Sequence, residues 1–404
     1  MSRPPRIPLS GPQLLLYKLR TGGLGWLSQR LREEWHLPRT ATGQALYRGA
    51  RALGRAVSWS PRAGISDRDD LLYAFYDLSV APVTFDFLWF LAGAELERRR
   101  RDLRAVHVAI VPGRYDGLRR ETPEYEARIS PAARRSRIAA MLVPACAFLP
   151  TLSGITVASS REQAAQLVDR AGAVFPQRYE PALPRYPGPQ EPLRAAREEG
   201  ARIGVLRARD QDSRVIDEWL ARRGCSGDVV TITLRSYDHT PERNSNIAAW
   251  AAFARGLDPA RFSVVFVPDT AQCLEPASEI LRGFPVFGEA ALVLGLRMAL
   301  YERAYLNLGV NNGPMGLCWL NERSRYITFK ILSEAAPNTS VDYMKFLGFE
   351  IGRSLPFATS WQQWVWAEDE LPVIEQAFAE MVRRIDGQAT PSASASAVAA
   401  VAGT

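Results

Sequence analysis

The chain alternates short apolar runs of strand length with stretches whose apolar positions recur at helical spacing. Residues 106–111 (VHVAIV), 229–234 (VVTITL), 262–267 (FSVVFV) and 304–310 (AYLNLGV) are apolar almost throughout, the pattern of strands covered on both faces. Residues 80–85, 155–158 and 173–175 read the same way. The stretches 88–101, 161–171, 246–257 and 289–303 read as helices, so strand and helix alternate through both halves of the chain. The expected fold class is α/β, with two Rossmann-like domains facing across a cleft and a basic N-terminal helical arm.

Six prolines (Pro176, Pro181, Pro184, Pro187, Pro189 and Pro192) separate the halves, a density suited to an extended connector. The expected organisation is an arm over 1–70, a first domain over 71–175, a connector over 176–200, a second domain over 201–387 and a tail over 388–404. That tail is Ala/Ser-rich and has nothing to bury, so it is expected to be disordered. Before it, Trp361, Trp364 and Trp366 precede a helical stretch with apolar Val373, Ile374, Phe378, Met381 and Val382. This stretch either packs into the second core or crosses back over the cleft.

A length of 404 residues fits two domains, and 47% hydrophobic with 23% charged residues excludes a disordered or fibrous chain. The formal charge of +7 points to nucleic acid only until it is located. Residues 1–63 hold eleven Lys/Arg against two Asp/Glu, which leaves 39 basic and 41 acidic residues for the rest. A nucleic-acid partner is therefore not expected. Only Lys18, Lys330 and Lys345 among the fifty basic residues are lysines, so arginine is a compositional habit here and counts as a signal only where its position is special. In the arm, Leu14, Leu15, Leu16, Trp26, Leu27 and Trp35 interleave with Lys18, Arg20, Arg30 and Arg32. Residues 1–60 either lie on an anionic membrane surface or pack on the body.

No apolar run reaches 18 residues and no secretory signal is present, so the expected location is cytoplasmic, with peripheral attachment to the inner face of the membrane if the arm binds lipid. Four cysteines and three histidines stand far apart, without metal-ligand spacing or a disulfide framework. No metal and no cofactor are expected. A Walker A loop and a complete G-x-G-x-x-G are absent as well.

The candidate chemistry sits where strands end, because open parallel sheets bind ligands there. After 229–234 come Arg235 and, past a turn, Arg243 and Asn244 at a helix start; these suit a diphosphate, or equally a capped helix with surface arginines. After 262–267 comes Asp269, either a ribose or base acceptor or a turn former. After 304–310 come Asn311, Asn312, Gly313 and Gly316, a Gly-containing turn that can bring backbone amides to a ligand or serve strand-to-helix geometry alone. In the first half, Asp86 is a candidate general base or an early helix residue, and Asp116, beside Arg114 on a Gly-flanked loop, is a second candidate base that could touch an acceptor, or equally a plain turn residue.

The segment VVTITLR with Arg243 and Asn244, FSVVFVPDT, the helix from Glu289 and NLGVNNGPMG together resemble the nucleotide-binding half of GT-B glycosyltransferases, especially those of bacterial surface-polysaccharide assembly. The resemblance covers roughly 200–335. It implies two Rossmann-like domains enclosing a nucleotide-sugar donor, with the first as acceptor domain and the diphosphate held without an obligatory metal. It further implies that Arg235 and Arg243 bind diphosphate, that Asp269 faces the nucleoside, and that 311–316 line the sugar or phosphate. The acceptor implied is a saccharide or a lipid-linked saccharide. No E-x-seven-E surrounds Glu289 and no His-x-Arg-Arg-x-Gly-Asp surrounds Arg235, which leaves both retention and inversion open, with inversion preferred because Asp86 could serve as base. A sugar-nucleotide 2-epimerase and a non-catalytic nucleotide-binding or assembly protein are the alternatives on the same fold.

Overall fold

The computed structural model describes residues 45, 46, 49, 70–238, 240–274, 278–333 and 339–389. The expected arm, but for residues 45, 46, 49 and 70, lies outside them, as do His239 and the tail beyond 389. The first sheet holds β1 (Leu71–Asp77), β2 (Ala105–Val111), β3 (Leu152–Val157) and β4 (Ala173–Phe175), all parallel, in the order β3-β2-β1-β4. The second holds β5 (Asp228–Thr233), β6 (Phe262–Val267), β7 (Leu306–Val310), β8 (Tyr326–Phe329) and β9 (Gln362–Trp364), also parallel, in the order β6-β5-β7-β8-β9. The main helices are α1 (Phe87–Arg100), α2 (Arg161–Arg170), α3 (Gln190–Glu199), α4 (Asp210–Arg222), α5 (Ile247–Gly256), α6 (Leu294–Arg303) and α7 (Leu371–Ala389). These two parallel α/β sheets are the Rossmann-like pair that the alternation predicts.

Each sheet grows outward on one side and then restarts on the other, between β1 and β4 and between β5 and β7. Loops leave such a reversal in opposite directions and open a crevice at the carboxyl ends of the strands. In the first sheet, side chains fill that crevice. Arg161 donates to Asp77 Oδ1 and Oδ2 (2.9 Å each), to Ser79 Oγ (2.7 Å) and to Pro112 O (2.8 Å), and Tyr179 donates to Asp77 Oδ2 (2.6 Å).

Four expectations need correction. The strand expected at 80–85 is a turn, and β1 lies earlier. Pro82 has no N–H for a ladder, and Asp77 ends the strand by accepting the Ser79 amide on its side chain and the Val80 and Ala81 amides on its carbonyl. The helix expected over 289–303 breaks at extended Val293 into Glu289–Leu292 and α6. The connector expected over 176–200 turns helical at Gln190, with Pro192 in the first turn, where a missing amide costs nothing. Strands β8 and β9 were not anticipated. The last helix, α7, packs on the second core: Ile374, Phe378 and Met381 are buried, and Phe378 meets Phe253 of α5 edge-on at 5.0 Å.

The helix α1 joins the two halves. All ten residues from Phe87 to Leu96 are buried, so the helix has no solvent face until its arginine-rich end. It belongs to an apolar cluster that also includes Met298, Leu317, Tyr326 and Trp364 of the second half. Trp89 meets Phe349 and Phe357 edge-on at 5.9 and 6.0 Å. Gly313 and Gly316 let the loop after β7 abut the start of α1: a Cβ on Gly313 would lie 2.7 Å from the Phe85 ring, and one on Gly316 3.2 Å from Leu88.

Gly313→Ala must therefore displace Phe85, and the expected cost is about 1–3 kcal/mol of stability, measured by chemical denaturation. Adding Phe85→Ala should recover part of the loss relative to the sum of the two single changes. Strict additivity would show that the two residues do not compete for the same space.

Candidate active site

Asp86 is the residue before α1, where a carboxylate ordinarily turns back to cap the helix. Here its backbone is already helical (φ −58°, ψ −20°) and its side chain makes no cap. The carboxylate is held instead by the Thr84 hydroxyl, which donates to Oδ2 at 2.8 Å. Asp86 keeps access to solvent, yet Tyr76, Tyr186, Arg119 and Arg243 lie close enough to couple to it electrostatically. Crowding by protein raises its pKa above the usual carboxylate value, against the Thr84 hydrogen bond and the charges of Arg119 and Arg243. Asp86 is thus an exposed carboxylate with charged and phenolic groups of both halves around it.

Arg243 reaches the same place from the second half. It follows β5 on a short turn, Pro241–Arg243, and donates through Nη2 to Asn311 O at 3.0 Å, bridging the loops that leave β5 and β7. It thus stands at the crevice where the second sheet reverses. Burial, joined by repulsion from Arg235, pushes its pKa down to about 10, with Asp86 acting in the other direction. Arg243 makes no ion pair with a carboxylate among the described residues. A half-buried guanidinium beside a second arginine favours an incoming anion.

Most of the other residues singled out from the sequence lie on the loops that leave β5, β6 and β7. Arg235 is buried and organises its own loop, donating to Thr240 O (3.0 Å), Thr240 Oγ1 (3.1 Å) and Asn244 Oδ1. Asn244 also accepts the Tyr237 amide (3.0 Å) and donates to Tyr237 O (3.1 Å). Asp269 accepts the amides of Ser236 (3.1 Å) and Thr270 (2.7 Å), tying the ends of β5 and β6 together. Asn311 donates to Ile331 O (2.7 Å), and Asn312 caps the amide of Met315 (3.1 Å). Gly313 and Gly316 face α1 as described. Asp116 stands apart from Asp86, exposed at the tip of a hairpin in left-handed backbone conformation (φ 50°).

The start of α5, which the sequence offered as an anion site, already has partners. Asn246 caps the Ala249 amide (3.2 Å), and Asp369 accepts the Asn246 amide (2.7 Å) and the Trp250 indole N–H (2.8 Å). Burial raises the pKa of Asp369, opposed by those two donors and by Lys330. Arg119, Tyr186 and Lys330 are site neighbours that sequence reading missed. Arg119 was hidden by the arginine-rich composition, and the sole signal for Tyr186 was its place in the Pro-rich segment. Lys330 follows the unanticipated strand β8; it pairs with Glu368 (2.7 Å) and lies 3.4 Å from Asn244 O.

Among the described residues no three His, Cys, Asp or Glu side chains gather to hold a metal ion, and no helix is long and apolar enough to cross a membrane. No protein-family model and no curated protein sequence matches the chain. Several solved structures are similar to it. A family 9 glycosyl transferase from Veillonella parvula is 12% identical with a TM-score of 0.48, over 79% of this chain and 99% of its own. The E. coli heptosyltransferase WaaC with ADP-2-deoxy-2-fluoro heptose is 12% identical with a TM-score of 0.35, over 77% and 99%. The fucosyltransferase NodZ from Bradyrhizobium is 14% identical with a TM-score of 0.33, over 64% and 94%. At these TM-scores the likeness is too distant to bear on the chemistry, which rests on the residues of the cleft.

Asp86 also makes a stability prediction. An acid whose folded pKa is raised contributes stability below its unfolded pKa of about 3.9, and that contribution is lost as pH rises through the folded value. Asp86→Asn should therefore unfold at a higher temperature than wild type near neutral pH and match it below about pH 3. A difference that does not change between those two conditions would contradict the raised pKa.

Proposed function

We propose that the chain is a GT-B-type glycosyltransferase that moves a sugar from a nucleotide-sugar donor to a saccharide or lipid-linked acceptor. One observation carries this reading: Asp86 of the first half and Arg243 of the second lie near enough to act on each other electrostatically, a carboxylate of raised pKa and a cation that lacks an ion-pair carboxylate among the described residues. Glycosyl transfer with inversion needs that pair. The base removes the acceptor hydroxyl proton, the oxygen attacks the anomeric carbon from the face opposite the leaving group, and the nucleoside diphosphate departs with the bonding electrons. Asp86 is the base in this assignment, and Arg243 neutralises the charge that develops on the departing diphosphate. Arg235 and Asn244 position Arg243 by holding its loop. Asp269 borders the nucleoside, and Asn311 and Asn312 border the sugar, while Gly313 and Gly316 seat their loop against α1.

The step uses no metal. Assembly of cell-surface glycan on the inner face of the cytoplasmic membrane is the setting that suits a basic apolar arm and a lipid-linked acceptor. An epimerase would use the same donor without an acceptor. The carboxylate on the far side of the cleft from Arg243 favours transfer, because it gives a second substrate its base.

Two substitutions test the reading. Arg243→Ala should weaken nucleoside-diphosphate binding at least about tenfold by titration calorimetry; unchanged affinity would remove the donor assignment. Asp86→Asn should leave that affinity within about twofold while lowering the turnover number about 10²- to 10⁴-fold. A turnover number near wild type would mean that Asp86 is not the base.

A further inference from the structure

A concavity of about 490 Å³ is left unused by the donor and base assignments. It lies between a hairpin after β2 and the helix Pro131–Arg137, and its lining includes Arg114, Arg119, Arg120 and Arg134. The hairpin is closed by bridges between Gly113 and Gly117 and between Tyr115 and Leu118. Its tip needs positive φ at both Asp116 and Gly117 (50° and 78°), and Gly113 cannot carry a Cβ, which would fall 2.3 Å from the Leu118 carbonyl carbon. That geometry fixes where Tyr115 stands. The Arg120 guanidinium lies 3.9 Å from the centre of its ring, a cation–π contact between two exposed side chains.

The charges of the lining do not balance. Glu126 is committed to Arg134 (2.9 Å), and the one other acidic lining residue is Asp116 at the tip. Arg134 is 97% buried, since 3% remains exposed; it also donates to Arg119 O (3.0 Å), while its Nε has no partner. Arg119 pairs with Glu121 outside the lining (2.6 Å). Arg114 donates to the Ala182 carbonyl, and neither it nor Arg120 has a carboxylate partner among the described residues. Arg119 and Arg134 each have a carboxylate, which leaves Arg114 and Arg120 as the lining cations without one among the described residues, a local excess that an anion offsets. Arg119 lines the concavity and is also among the charges acting on Asp86, which links this concavity to the candidate base.

We infer that this concavity is the acceptor subsite and that it takes an acceptor bearing an oxyanion, a phosphoryl or carboxyl group seated between Arg114, Arg120 and Arg134, with a free hydroxyl directed at Asp86. The inference rests on the glycosyltransferase reading for the acceptor role but not for the anion site itself. Planar guanidiniums match the two oxygens of either group, and Arg114 and Arg120 are exposed, so they can reorient onto it without disturbing the core.

The test uses three probes on the full chain at low salt: methyl glucoside, glucuronic acid and glucose 6-phosphate, followed by ligand-observed NMR and calorimetry. The anionic sugars should bind at least about tenfold more tightly than the neutral one, and Arg114→Gln and Arg120→Gln should each cost about tenfold for the anions with little change for methyl glucoside. The tighter of the two anions identifies the group. Both variants should unfold at the wild-type temperature and bind nucleoside diphosphate as wild type does. Equal binding of neutral and anionic probes, no binding of any probe, or anion affinity indifferent to both substitutions would each overturn the inference. Loss of the donor reading would show separately, as absent nucleoside-diphosphate binding in a protein that still binds the anionic sugars through its arginines.

Discussion

Everything in the cleft depends on α1 having no solvent face. Phe87, Leu88, Trp89, Phe90, Leu91 and Leu96 are each at most 5% exposed, and burial of such side chains is worth roughly 1.5–3 kcal/mol apiece. That burial is shared, with the first sheet on one side and Met298, Leu317 and Trp364 of the second half in the same cluster. A helix clamped in this way cannot rotate or slide without exposing aromatic surface. Asp86, the residue immediately before it, is therefore held in a fixed position against the loop after β7, where Gly313 and Gly316 admit Phe85 and Leu88.

The stability of that clamp permits an arrangement that is locally unfavourable. Asp86 is a carboxylate whose pKa the surrounding protein raises, and Arg243 is a guanidinium whose pKa burial and Arg235 lower. Moving them into direct contact would satisfy both and leave no room for a substrate. The structure keeps them apart on separate supports: Asp86 by Thr84 and α1, Arg243 by Asn311 and the loop that Arg235 and Asn244 organise. The positive end of α5, by contrast, is satisfied internally by Asp369. At the reversal of the second sheet Arg243 is thus a cation without a carboxylate ion pair among the described residues, whereas the helix start already has its partner.

Much of the fold was legible because strands buried on both faces carry little but apolar residues: VHVAIV, VVTITL and FSVVFV lie within one residue of β2, β5 and β6. The reading failed where tertiary context overrides that pattern. Residues 80–85 are apolar because they pack under α1, not because they pair, and β8 and β9 are strands of four and three residues, too short to show a period. Strand order leaves no trace in local sequence, so the reversal beside β5 that places Arg243 could not be seen. The glycines of the NNGPMG turn were recognised as points of close approach, but the structure shows them approaching Phe85 and Leu88. Arg119 and Arg134 were invisible in a chain that uses arginine everywhere. Their importance comes from burial and from shared partners, which only the folded chain defines.

The most direct test of the account is a crystal structure of the protein with a nucleoside diphosphate bound. The account requires the diphosphate within hydrogen-bond distance of the Arg243 guanidinium, at the reversal between β5 and β7, with the Asp86 carboxylate across the cleft and free of the ligand. A diphosphate found at the start of α5 in place of Asp369, in the crevice above Asp77, or in direct contact with Asp86 would contradict it.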